Sequence, residues 1–464
     1  MIRLILALLV SSSTLVAADR PNILVLYSDD NGYGDFGFQP DCVPEMKKLT
    51  PNIDSIARDG VRFTNAYMSG CVCSPSRAGL MTGRYQGRFG FDNNLPPGTP
   101  SGLPLTETFF AKRLQKAGYR TGLVGKWHLG YPQEYHPNRR GFEWFYGLLQ
   151  GSRSYLPYVK PTAHRVIQEA TGVAVKRTAE SGYVTDRFGS AACRFIKSNS
   201  KRPFFLFVSF TASHGPNQPR SSDADRISHI SPKKRRDHCG LTVALDDNVG
   251  RILRCLEEQG YDKNTLVVYT NDNGGATHTG ARNNPLSGRK GELREGGVRV
   301  PMAMRWPGKI QAGSVIGDPV IALDFAPTFL TLGGVELRDD MKLDGVNLVD
   351  RVRGKTPSLP KRTFYWRKAG SKGHRALRDG NWKLVHRRKI GAAPQLFDLS
   401  KDISESNDLA ASKKDVVDAL MKKLDVWETQ LVEPLWGAGA PKSAPQGKAN
   451  RKKKKRGQRK PKSS

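Results

Sequence analysis

Short apolar runs rich in β-branched and aromatic residues recur at residues 23–27, 121–125, 204–210 and 266–270, and they predict strands. Between them the period changes. Residues 105–117 set Phe109, Phe110, Leu114 and Ala117 on one face and stop at Gly118. Residues 237–259 do the same with Leu241, Leu245, Val249, Ile252, Leu253 and Leu256, ending at Gly260. Both patterns predict amphipathic helices. Strands alternating with helices point to an α/β fold, a mainly parallel central sheet flanked by helices. That rhythm ends near residues 324–330, and a stretch rich in Gly, Pro and basic residues follows at 333–362. Residues 363–366, 375–378, 382–386 and 395–399 then predict a small antiparallel sheet, closed by a helix at 414–429. No internal repeat is present. The expected organisation is a leader at 1–18, an α/β domain at 19–350, a smaller C-terminal domain at 351–440 and a basic tail at 441–464, too polar to fold alone.

The leader is read from Arg3, the apolar residues 4–10 and the small-residue site Val16-Ala17-Ala18. It predicts export, to a periplasm or outside the cell. No later run reaches membrane-spanning length. Six cysteines in 464 residues do not make a disulfide scaffold. A metal site on Cys71-Val72-Cys73 is not expected, because no nearby His or Cys cluster completes a tetrahedron. The formal charge is +31, and residues 442–462 hold eleven Lys or Arg and no acid, so the rest of the chain still carries +20. Such a field draws in polyanions without telling sulfated polysaccharide from nucleic acid.

The predicted strands deliver chemistry at their ends. Ser28-Asp29-Asp30, Lys126-Trp127-His128, His214 and Asn271-Asp272-Asn273 each follow one of them. In open α/β sheets ligands bind at the carboxyl ends of the strands, so four strand ends converge on one rim. Adjacent carboxylates need a cation between them. Asp29, Asp30, Asp272 and Asn273 offer only oxygen, which favours calcium or magnesium over zinc. Asp246-Asp247, by contrast, falls on the polar face of a helix and is not taken as a ligand pair. Cys73-Ser74-Pro75-Ser76-Arg77 followed by Thr82-Gly83-Arg84 predicts a short helix opening near Cys73 and closing at Gly83. Its dipole and Arg77, one turn on, would both favour negative charge at residue 73.

This segment resembles the signature of the type I sulfatases, whose cysteine is oxidised after translation to formylglycine. The resemblance covers roughly residues 20–410. It includes Asp29-Asp30-Asn31-Gly32-Tyr33, Pro51-Asn52-Ile53-Asp54, Gly125-Lys126-Trp127-His128-Leu129-Gly130, Asp272-Asn273-Gly274, Lys290-Gly291 and Glu295-Gly296-Gly297-Val298-Arg299-Val300-Pro301. It implies an alkaline-phosphatase-like fold, a formylglycine made from Cys73 by a maturation enzyme, and Ca²⁺, in preference to Mg²⁺, held by Asp29, Asp30, Asp272, Asn273 and residue 73. It also implies a sulfate cradle of Lys126, His128, His214 and Lys290, with Arg77 steadying the nucleophile. An aldehyde hydrate carries two hydroxyls, one to attack sulfur and one to expel sulfate. His128 is expected as the base, and His214, with Lys290, as the acid for the leaving oxygen. Lys126 and His128 are expected on one side of an extended segment.

The expected activity is therefore hydrolysis of sulfate esters, with sulfated carbohydrate as the substrate class suggested by export and charge. A phosphodiesterase or phosphonate hydrolase of related fold is one alternative. A polyanion-binding protein without chemistry is another. No specific nucleic-acid partner is expected.

Overall fold

The computed structural model describes residues 20–199 and 202–442. The leader and all but the first two residues of the basic tail lie outside them.

The Asn22–Ser28 strand explains the architecture. Every residue in it is buried, and alternate side chains enter different cores. Ile23, Val25 and Tyr27 meet the helices Cys73–Thr82, Phe110–Lys116 and Phe325–Leu332, while Leu24 and Leu26 meet Pro51–Arg58, Val184–Lys197 and Lys233–Glu258. A strand covered on both faces must be apolar throughout, which is why the sequence shows runs and not alternation. The strand pairs in parallel with Phe204–Ser209 and Thr265–Asn271, and Phe204–Ser209 pairs in parallel with Arg120–Lys126. All four predicted central strands are adjacent, with their carboxyl ends on one edge. The sheet has ten strands. Towards its edges, formed by Ser314–Ile316 and Ala174–Arg177, lie Val61–Phe63, Met302–Arg305 and Gln168–Thr171, short strands that the periodicity does not single out.

The second sheet is the antiparallel meander Thr363–Lys368, His374–Asp379, Trp382–His386, Gln395–Asp398. The Lys414–Glu428 helix closes it with Leu420, Leu424 and Trp427. That core is shared: Tyr67, Tyr85, Ile321 and Leu323 belong to the same cluster as Trp366, Leu377 and Leu396.

Three expectations need correction. The helix expected at 105–117 spans only Phe110–Lys116, because Phe109 is extended and Leu105, 55% exposed, has no core to bind. Asp246 does not face solvent. It is fully buried and accepts from the backbone N–H of Asn52 and Ile53, capping the Pro51–Arg58 helix from outside, whereas its neighbour Asp247 pairs with Arg220 and Arg226. Lys126 ends its strand, but His128 has φ 62, so the two do not share an extended segment. Cys193 and Cys255 form a disulfide between two helices, and Cys42, Cys71, Cys73 and Cys239 are buried and free.

Candidate active site

Val72 is extended, and the chain turns into the Cys73–Thr82 helix, every residue of which is buried. It leaves through Gly83 in the left-handed region (φ 69), where a side chain would lie 2.5 Å from the Ala326 Cβ. The helix therefore seats Cys73 against the strand ends. Arg77, one turn on, reaches the same place: its Nη2 lies 2.9 Å from Asp272 and 3.6 Å from Asp29. Nη1 donates to Ser209 Oγ at 2.5 Å, and the guanidinium stands over the Tyr27 ring. Ser209 and Tyr27 are supports that no local motif announced.

Each remaining acid has its own cation. Lys126 Nζ is 2.5 Å from Asp29 Oδ2, and Lys290 Nζ is 2.7 Å from Asp30 and 3.3 Å from Cys73 Sγ. Asn273 donates to Asp30 at 2.8 Å, and His214 Nε2 is 3.6 Å from Asp30. His128 lies close enough for the charges of Lys126 and Arg77 to act on it, and its ring packs on Gly151. Every residue singled out in the sequence thus reaches one place.

Burial and like charge govern the site's protonation. Burial, then Asp29, pushes the Cys73 thiol up to about 12, so the negative charge expected there from dipole and guanidinium does not develop. An unmodified thiol held so high is no nucleophile near neutrality. Burial, then Asp29, raises Asp272 to about 6 against Arg77. Burial would also raise Asp30, but Lys290, His214 and Lys126 hold it below the usual carboxylate range. Lys290 goes well above its ordinary value, because Asp30 and Cys73 overcome the cost of burial. Burial lowers His214 to about 4, and burial with Lys126 and Arg77 takes His128 well below the ordinary histidine value. Both imidazoles are neutral at pH 7, so the near-neutral titration expected of them is displaced.

The donor set fits a hard divalent cation. Ligand atoms of Asp29, Asp30, Cys73 and Asp272 lie within 4.8 Å of one another, all four residues buried. The Asn273 Oδ1 is buried with no hydrogen-bond partner, as an oxygen kept for a cation would be.

The sulfatase family model matches residues 21–335. The chain is a type I sulfatase. The C-terminal model of N-sulphoglucosamine sulphohydrolase matches residues 290–430 of this sulfatase. The mouse N-acetylgalactosamine-6-sulfatase is 33% identical over 390 residues, which is 78% of this chain and 72% of that protein. The Escherichia coli (strain K12) uncharacterized sulfatase YdeN is 30% identical, over 75% of this chain and 68% of its own. Among solved structures, Ps i-CgsB in complex with k-i-k-neocarrahexaose superposes with a TM-score of 0.84 at 34% identity, covering 91% of this chain and 95% of its own. The fold is alkaline-phosphatase-like, and the enzyme hydrolyses sulfate esters. A phosphodiesterase assignment and a purely binding role are not retained.

Proposed function

We propose that this sulfatase removes sulfate from sulfated carbohydrate, using a formylglycine made from Cys73 and a Ca²⁺ ion, after export from the cell. The observation that carries the reading is the convergence of Asp29, Asp30, Cys73 and Asp272 between three cations. The carbohydrate class is supported by the sugar named with the mouse relative, by the oligosaccharide bound to Ps i-CgsB and by the formal charge of +31. Export rests on the leader. Among the described residues no helix is long and apolar enough to cross a membrane. A formylglycine-generating partner follows from the same reading.

A formylglycine at residue 73, once hydrated, would supply two hydroxyls on one carbon, one to attack sulfur and one to release sulfate. Asp29, Asp30, Asp272, Asn273 and residue 73 would hold a calcium ion, which would supply positive charge at the sulfate. The chain's own side chains do the rest. Lys126 and Lys290 neutralise the incoming ester and the charge that builds on it. Arg77, fixed by Asp272 and Ser209, holds residue 73 in position. Neutral His128 would take the proton of the second hydroxyl, and charged Lys290, with His214 beside it, would deliver a proton to the departing alcohol. The body at 19–350 carries the chemistry, and 351–440 completes its core.

Mass spectrometry of the peptide containing residue 73 should find an aldehyde or its hydrate when the protein is made with a formylglycine-generating system. Cys73→Ala should abolish aryl-sulfate turnover while circular dichroism is unchanged, and full activity in that variant would remove the covalent route. Asp272→Ala should weaken calcium binding by isothermal titration and cut the rate. An unaltered titration would take Asp272 out of the ligand set.

A further inference from the structure

A cavity of about 630 Å³ lies away from the reacting residues, lined by the Lys414–Glu428 helix, the Thr363–Lys368 strand and the segment after the Cys73–Thr82 helix. Tyr85, in its wall, follows the C-terminal end of the helix whose first residue is Cys73. At 1.5 Å per residue, that helix alone separates wall and reacting atom by about 15 Å. The lining is aromatic and cationic together. Tyr365 and Trp427 stack at 5.0 Å with 10° between their planes, and Tyr85 stands edge-on to Trp427. Val426 is 57% exposed beside them, and the buried Trp427 Nε1 has no partner among the described residues. Arg88, Arg362, Lys422 and Lys423 face a single lining acid, Asp344. Arg88 and Arg362 are held by Asp344 and Asp324, whereas the exposed Lys423–Asp379 pair is worth about 1 kcal/mol or less and yields to a polyanion. Lys422 is exposed and forms no ion pair among the described residues.

We propose that this cavity is a second binding site, which holds a sulfated sugar segment of a polymeric substrate while a different residue of the chain is at Cys73. The inference rests on the carbohydrate reading above. Sugar rings present apolar C–H faces suited to the half-buried Tyr365 ring and the exposed Val426; Tyr85 and Trp427 are buried. Sulfate groups seek lysine and arginine, so an apolar wall beside cations matches both halves of such a ligand. The site's own reaction selects sulfated glycan over nucleic acid.

The test uses the mature enzyme and two surface variants, Lys422→Glu and Val426→Asp. Turnover of a small aryl sulfate should stay within about twofold of wild type, while KM for carrageenan rises about fivefold or more, roughly 1 kcal/mol of lost binding. Retention on immobilised carrageenan should weaken likewise, and desulfated carrageenan should not bind the site in either form. Unchanged KM and retention in both variants would overturn the proposal. Equal weakening towards single-stranded DNA would reduce the site to a general polyanion patch and overturn the sugar assignment. Retention decides the matter even if no sulfate is released, so failure of the carbohydrate-sulfatase reading is seen separately. Should one variant misfold, the other decides.

Discussion

At the scale of single residues, the site is built from opposed charges that leave little slack. His128 shows how tight it is. Its backbone is left-handed at φ 62, and a Cβ added at Gly151 would lie 2.4 Å from its Cε1. Gly151→Ala should therefore push the imidazole aside and lower kcat by on the order of 10²-fold, the cost of misplacing a catalytic group by about 1 Å. Steady-state kinetics with an aryl sulfate, alongside an unchanged melting curve, checks this. The acids, Lys126 and the histidines were legible in the sequence because they follow strand ends, whereas Lys290, in a loop, was reached only through the family resemblance. Their supports were not legible. Tyr27 reads as one more apolar strand residue and Ser209 as an ordinary serine, and only the arrival of Arg77 from another element gives them work.

Elements repeat the lesson. Strands buried on both faces are long and apolar, so residues 23–27 and 266–270 announced themselves. Peripheral strands such as Val61–Phe63, held between Met302–Arg305 and Ser314–Ile316, are three residues long and take their conformation from neighbours. The same holds for Asp246, which looks like a solvated helix residue until the Pro51–Arg58 helix docks its N-terminus on it. Burial raises this carboxyl from 3.8 to about 7, with the N–H groups of Ile53 and Asn52 opposing. A folded-state value above the unfolded one means that the group's contribution is complete below about pH 4 and is lost as pH rises through 7. The stability advantage of wild type over Asp246→Asn should thus be largest at pH 5 and shrink by pH 8. Melting temperatures of both proteins across that range test it, and a constant gap would mean that the carboxyl does not titrate there.

For the whole molecule, charge is the dominant property. A formal +31 acts over distances set by salt, about 10 Å at 0.1 M and 3 Å at 1 M. Raising salt across that range should lower kcat/KM for a sulfated polymer several-fold more than for a small aryl sulfate, whose single charge samples less of the field. Parallel assays on the two substrates measure the difference. The C-terminal sheet is also knit to the α/β body. Trp366 donates to Met68 O, Lys383 to Glu295 and Arg378 to Tyr67, while Arg367 pairs with Asp92. Glu405 accepts from Ser287 and from the Glu295 N–H, gripping both ends of the loop that carries Lys290. A ribosome releases that loop long before it makes Glu405, so Lys290 waits for more than a hundred further residues before it is secured. A nonsense codon as late as residue 405 should accordingly be as damaging as one at the centre.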